Sequence, residues 1–378
     1  MGKALQSLID RTYRSPQPYS GDARVDANVL VRFPERTEII SANRYGTSNF
    51  AATVQLHLKF PDGSDQQYLL KYAPGANGRT TLEGEYNSIS ELYKWVPDLV
   101  PKLHSWGRCT LQEPESYFLL VEFVDFIGGM PDPEQLCTKI ARLHRESRSP
   151  NGQFGFHITT CLGRTQQLVS WEQVWTTFFM KLLRHAIEVD VQGNGPWEEL
   201  DKLEKRLVTQ VVPRLLDALE DKDGKVKPSL IHSDLWEGNI GVSSKNGDIY
   251  IFDAACFYAH HEMEAAYWRP HMNNISDRLY MSTYLRHFSP SEPKNEWDDR
   301  NRLYSVYYNI IYSANHLSQG RRGRELAYRD MYHLVDKFAP FSNGEGVPRL
   351  NESELTHIST QRDLEASMEE SLRLLSLN

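Results

Sequence analysis

Apolar positions along this chain follow two different rhythms. Between about residues 37 and 124 they recur at every second residue in short runs, the period of half-buried strands. Residues 37–40 form one short strand. Over 53–60, Val54, Leu56, Leu58 and Phe60 share a face, a Pro/Asp/Gly/Ser turn follows at 61–65, and 67–72 returns. A helix beginning near Glu83 carries Tyr86, Ile89, Leu92, Tyr93 and Val96 at helical spacing. Residues 117–124 read as a buried strand running into Ile127, Gly128, Gly129, Met130 and Pro131. That turn suits a hinge between lobes, and equally the exit from a core strand.

Beyond residue 133 the period becomes helical. Helices are expected over 133–146 (Leu136, Ile140 and Leu143 inward), 171–189, 197–219, 262–267, 275–287, 297–317 and 325–338. The wide aromatic stripe of Trp171, Trp175, Phe178 and Phe179 reads as core rather than as a cofactor box. The fold class is therefore α+β. A lead-in at 1–35, with a short helix over 4–13, precedes a smaller β-rich lobe at 36–123. A larger, mainly helical lobe at 124–340 and a tail at 341–378, with a helix over 361–375, complete the division.

The helical half is interrupted once, and the chemistry is concentrated there. Leu230-Ile231-His232-Ser233-Asp234-Leu235-Trp236-Glu237-Gly238-Asn239 has the H-x-D-x-x-x-x-N spacing of a phosphotransferase catalytic loop. In such a loop the Asp accepts a hydroxyl proton and the Asn oxygen ligates a metal. A hairpin follows, with Lys245-Asn246-Gly247 as a three-residue loop and Gly in the left-handed position. Pairing Ser244 with Asp248 places Ile240, Val242, Tyr250 and Phe252 on one face and sets Asn239 opposite Asp253. Directly opposite Cβ atoms lie about 4.5–5.5 Å apart. Two oxygen donors at that separation suit one Mg²⁺.

Lys71 stands in the mostly apolar strand Tyr68-Leu69-Leu70-Lys71-Tyr72, where an ammonium needs a charged partner. Glu85 on the following helix is the candidate; an edge-strand lysine in water is the alternative. A strand Lys fixed by a helix Glu is how kinases aim a charge at nucleotide phosphates. The turn at 41–49, Ser48 and Asn49 within it, lies where backbone N–H groups would cover those phosphates, or is a plain hairpin loop.

Composition narrows the field. In 378 residues, 40% hydrophobic and 24% charged is ordinary for a globular chain of about two domains. A net charge of −8 argues against a nucleic-acid partner. No apolar run reaches the ~18–20 residues of a membrane span, and the start shows no secretory signal pattern. Cys109, Cys137, Cys161 and Cys256 lie far apart, so reduced thiols in a cytoplasmic setting are expected. His260, His261 and His271 lack zinc-site spacing.

These motifs resemble the fructosamine-kinase (ketosamine 3-kinase) family, within the protein-kinase-like, two-lobed fold of aminoglycoside phosphotransferases and choline kinases. The resemblance covers roughly residues 37–320. It rests on Leu82-Glu83-Gly84-Glu85, Phe154-Gly155-Phe156-His157 with Cys161-Leu162-Gly163, Trp175-Thr176-Thr177-Phe178-Phe179, the block from Ile231 to Asn239, and Phe257-Tyr258-Ala259-His260. It implies ATP and Mg²⁺ as cofactors. It also implies phosphorylation of the 3-hydroxyl of a ketosamine on a glycated protein or a small amine, after which the adduct leaves and the amine is restored. Lys71 with Glu85 would hold phosphates, Asp234 would be the base, and Asn239 and Asp253 would hold the metal. Trp236 and His232 would face the substrate, and the backbone near Glu122 and Val124 would take adenine. The family usually has Gly where Ser233 stands and Pro where Ala254 stands, and its phosphate loop is richer in Gly. The rival readings are a choline- or aminoglycoside-type kinase and a catalytically inactive kinase-like scaffold. A monomer and a homodimer are both compatible with the sequence.

Overall fold

The first strands pair into a five-stranded antiparallel sheet whose two faces are both covered. The computed structural model describes residues 19–46, 51–219, 226–270 and 272–342. A short helix, α1 (Ala27–Leu30), precedes β1 (Glu38–Arg44), β2 (Ala52–Lys59) and β3 (Asp65–Pro74). The long helix α2 (Gly75–Trp95) follows, then β4 (Leu103–Gln112) and β5 (Glu115–Glu122). Strand order is β1-β2-β3-β5-β4. On β5, Phe118 and Leu120 point outward while Leu119 and Val121 point inward, and all four are buried. Successive strand residues face opposite sides, so an unbroken apolar run means two covered faces. The inner cover is α2, through Leu82, Ile89 and Leu92. The outer cover is the lead-in: Ala23, Val25, Val29 and Phe33 pack on Val54, Leu56, Leu58 and Leu70. Asp26 fixes it there, capping α1 through Asn28 N–H and accepting from the Thr110 N–H and hydroxyl. Residues 19–35 therefore belong to the N-terminal lobe and are not an appendage. The expected helices over 4–13 and 361–375 lie outside the described residues.

Three residues, Phe123 to Asp125, connect β5 to β6 (Phe126–Ile127), so the crossing falls a few residues earlier than the Gly-Gly-Met-Pro turn suggests. Next come α3 (Pro133–Glu146), β7 (Cys161–Leu162), β8 (Thr165–Gln166), α4 (Trp175–Asn194), α5 (Glu198–Arg206) and α6 (Val212–Leu216). The bounds of α3 are those expected. Asp132 accepts from Gln135 N–H at 2.8 Å and Pro133 opens the first turn, an arrangement suited to a helix start. The helical run expected over 197–219 is present but is not one α-helix. A π turn at Leu207–Val211 separates α5 from α6, just before Pro213, which has no N–H for the α ladder.

β9 (Ser229–Ile231), β10 (Ile240–Ser243), β11 (Ile249–Ile251) and β12 (Phe257–Ala259) carry the functional loops. Helices α7 (Glu262–Ala266), α8 (Arg278–His287), α9 (Trp297–Asn315) and α10 (Gly320–Phe338) complete the lobe. Trp175 is fully buried there, its indole N–H donating to Tyr304 hydroxyl at 2.9 Å. The four cysteines are free. Among the described residues no helix is long and apolar enough to cross a membrane.

The helix α2 starts eight residues before the expected Glu83, its first turns including Gly78, whose bare Cα packs on Ala73. It is tied to the larger lobe along its length. Asn87 meets His157 at 3.0 Å, Ser88 hydroxyl accepts from Cys256 N–H at 3.0 Å, and Tyr258 hydroxyl donates to Glu91 at 2.8 Å. Gly84 is where the backbones come closest: a Cβ there would stand 2.8 Å from Thr159 carbonyl oxygen. An exposed helical Gly→Ala change gains about 1 kcal/mol from propensity. Here overpacking should outweigh it, so Gly84→Ala is expected to lose about 1–3 kcal/mol in a urea titration. A more stable variant would refute the close approach.

Candidate active site

The inner face of β3 presents Lys71 between two carboxylates. Its ammonium lies 2.6 Å from Glu85 of α2 and also bonds Asp253, beyond β11. Lys71 and Glu85 are buried, while the Asp253 side chain is half exposed. Burial alone would lower the lysine pKa; Asp253 and Glu85 offset it and hold the ammonium above its ordinary value. Burial also pushes Glu85 upward, with Lys71 opposing and Asp253 adding to the rise.

The loop after β9 is held from beneath. Glu264 of α7, itself buried, accepts the backbone N–H groups of His232 at 2.5 Å and Ser233 at 3.0 Å. Trp268 indole N–H donates to Leu235 carbonyl at 2.8 Å. Asp234 emerges from this cradle half-buried. Its carboxylate accepts from Asn239 amide at 2.8 Å and from Tyr267 hydroxyl. Burial raises its pKa to about 7, with the nearby Asp253 charge adding to the rise against those two hydrogen bonds. Trp236 is partly exposed, its ring lying over Gly238, where a Cβ would come within 2.4 Å of it.

His232 does not face a substrate. It is fully buried: one ring nitrogen meets Phe252 carbonyl at 3.0 Å and the other Asp234 N–H at 3.3 Å. It joins the two functional loops instead.

The hairpin between Asn239 and Asp253 differs in register by one residue from the expected pairing. Ile240 faces Ile251, Gly241 faces Tyr250 and Val242 faces Ile249. The cause is a third strand. β6 pairs with β10, and Ser244 continues that edge by donating its N–H and hydroxyl to Asp125. Ser244 thus leaves the ladder, and the loop grows to four residues, with Gly247 left-handed. A one-residue slip exchanges faces. Ile240, Val242, Ile249 and Ile251 face the core, while Tyr250 and Phe252 lie against Phe126 over the bare Cα of Gly241. Asn239 pairs with Phe252 through 252 N–H to 239 carbonyl at 3.1 Å. Asp253 reaches the cleft by turning off the strand at φ 58°.

Among the other expected residues, Glu122 gives its N–H to Lys102 carbonyl and its carboxylate accepts Lys102 N–H, while Val124 sits in the open connection after β5. Ser48 and Asn49 lie outside the described residues, as does His271. Ligating atoms of His260, His261 and Glu262 fall within 4.8 Å of one another. Both Glu262 oxygens are committed to Arg300, and one also to Ser291 N–H; His260 bonds Tyr304 and Ser291. Glu262 and His260 are thus already engaged within the fold. Sequence reasoning missed Glu264 and Tyr267. For Glu264 the signal was present, since two acids in the apolar run Glu262-Met263-Glu264-Ala265-Ala266 need partners as Lys71 does.

The comparisons bear directly on this arrangement. A family model described as fructosamine kinase matches residues 29–336. The chain belongs to the fructosamine kinase family. It is similar to a chloroplastic protein-ribulosamine 3-kinase of Oryza sativa subsp. japonica, 29% identical over 259 residues, spanning 68% of this chain and 70% of that one. Similarity to the ketosamine-3-kinase of Mus musculus is 26% over 294 residues, 70% and 87% of the two chains. A solved Haemophilus somnus 129PT chain, described as a candidate fructosamine-3-kinase, superposes with a TM-score of 0.62 at 18% identity, covering 79% and 92%. Aminoglycoside phosphotransferase APH(4)-Ia gives 0.52 at 14%, covering 79% and 94%. This is the protein-kinase-like fold, and this member of the fructosamine kinase family is a kinase.

Removing Lys71 would leave Glu85 buried without its cation, a type of loss worth about 3–5 kcal/mol when the charge is retained. Glu85 can take up a proton instead. Its native pKa would then lie further above its unfolded value, so stability is retained at low pH and lost as pH rises through the native value. Lys71→Met should therefore be destabilised more at pH 8 than at pH 5 in denaturant titrations; an equal loss would show that Glu85 does not depend on Lys71.

Proposed function

We propose that this kinase transfers the terminal phosphoryl group of ATP to the 3-hydroxyl of a ketosamine, on a glycated protein or a free amine, and so promotes loss of the adduct. The observation that carries the reading is Asp234. Its carboxylate is held by Asn239 and Tyr267 beside a second acid that shares Lys71. The relatives named as ribulosamine and ketosamine 3-kinases support the acceptor class.

Asp234 would accept the proton of the attacking hydroxyl. A carboxyl raised to about 7 by burial is a stronger proton acceptor than an ordinary one and suits that task near neutral pH. Asn239 aims it, donating through Nδ2 and leaving its amide oxygen free of that bond. Lys71, oriented by Glu85, would meet the phosphates as they enter the cleft. Mg²⁺ fits the residues present. Asn239 and Asp253 offer hard oxygen donors, and two carboxylates share one ammonium with a third, Asp234, near Asp253, a surplus of acids suited to a dication. When bound, the ion would neutralise phosphate charge. Val124 and the Glu122 carbonyl, where the chain crosses between lobes, would take the adenine edge, and the exposed Trp236 ring would flank the ketosugar.

Transfer from labelled ATP should be seen with ribulosamine, erythrulosamine or fructosamine acceptors and not with choline or an aminoglycoside. Asp234→Ala should lower kcat by about 10²–10⁴, the worth of a general base, while ATP still binds. Retention of more than a few per cent of turnover would remove Asp234 as the base. Transfer to choline or an aminoglycoside alone would replace the acceptor class.

A further inference from the structure

Ser233 and Asp253 are two of the three non-glycine residues with positive φ among the described residues, at 69° and 58°. The third, Arg36, is an exposed turn residue. Strained backbone persists where surrounding contacts over-determine it, and here one instance immediately precedes Asp234 and the other is Asp253 itself. One buried side chain touches both loops. Gln167, just past β8, is 3% exposed and uses its whole hydrogen-bonding capacity. Its amide nitrogen donates to Thr160 hydroxyl at 3.0 Å and to Ala255 carbonyl at 2.9 Å. Its amide oxygen accepts from Ser233 hydroxyl at 3.3 Å and from Tyr307 hydroxyl at 2.7 Å. Ser233 precedes Asp234 by one residue, and Ala255 follows Asp253 by two. The loops also meet directly, Ala255 N–H donating to His232 carbonyl at 3.0 Å.

We propose that Gln167 is a positioning residue which sets the separation of the Asp234 and Asp253 carboxylates, acting through Ser233 on one loop and Ala255 on the other. An amide has two donors and two acceptor sites, and these four partners satisfy all of them, so no other common side chain of this length meets the set. Thr160 and Tyr307 take the donor and the acceptor site that the two loops leave over; Thr160 lies where Gly84 of α2 approaches and Tyr307 belongs to α9. The hydroxyl of Ser233 thereby gains a function that glycine at the same φ lacks. This rests on Asp234 as base and Asp253 as metal ligand.

The test compares Gln167→Met, Gln167→Asn and Tyr307→Phe in the full chain. A positioning role lowers kcat at least tenfold in both Gln167 variants, with KM for ATP within threefold of wild type. It also reduces, by at least fivefold, the gain in ATP affinity between EDTA and Mg²⁺, read by calorimetry without acceptor. Tyr307→Phe, which keeps both loop contacts of the amide, should leave kcat and that gain within twofold. Wild-type kcat and wild-type Mg²⁺-linked affinity in either Gln167 variant would overturn the assignment, as would an equal loss in Tyr307→Phe. Should neither Gln167 variant fold, Ser233→Ala reads the same contact from the other side, with at least a threefold fall in kcat expected and an unchanged kcat refuting it. The affinity measurement needs no ketosamine, so a wild type inert toward every ketosamine would fail the acceptor reading without touching this one.

Discussion

A single buried ammonium holds the two lobes in register. Lys71 comes from the sheet, Glu85 from the long helix and Asp253 from beyond the hairpin, and no two of these belong to one local element. Desolvation opposes the charge at this depth, so the ammonium persists only while both acids stay close. The two acids likewise repel each other unless it lies between them. Each partner is thus a condition for the other two, and the sheet, the long helix and the loop after the hairpin are coupled before any ligand enters.

The long helix is not left to find its own position. Gly84, Asn87, Ser88 and Glu91 each contact the larger lobe, through Thr159, His157, Cys256 and Tyr258. Two of the sequence blocks that carry the family likeness, the one around Gly84 and the one from Phe154 to Gly163, are in contact with each other. Their distinctiveness is accordingly a packing matter: a helix that must approach a loop backbone this closely tolerates no side chain at the point of contact. The Lys71–Glu85 pair is formed by docking of the helix along several turns, and no single swinging contact decides it.

Much of this was legible in the chain. The apolar alternation located β2 and β3, the lysine in an apolar strand demanded its acid, and H-x-D-x-x-x-x-N placed Asp234 and Asn239. Helical spacing of Leu136, Ile140 and Leu143 placed α3, and the Asp132 cap agrees with its start. What failed did so for long-range reasons. The hairpin slipped by one residue because Asp125, just before β6 and over a hundred residues earlier, claims Ser244, and no local turn rule contains that competitor. His232 looked like a ligand-facing group because spacing reports which residues neighbour Asp234 but not which way they turn. Glu264, Tyr267 and Gln167 reach the two loops through contacts 31 to 88 residues away in sequence, and only buried polarity in an apolar run hinted at the first.

The lead-in carries a last consequence. The family model starts at residue 29, within the short helix at Ala27–Leu30. Yet Ala23 and Val25, before it, help to cover Val54, Leu56 and Leu58 on the outer face of the sheet. A fragment cut at the family boundary would uncover an apolar sheet surface, the kind of patch through which separate chains associate. The natural edge of the folding unit thus lies upstream of the edge that shared ancestry marks, and expression boundaries are better drawn from the buried contacts than from the aligned residues.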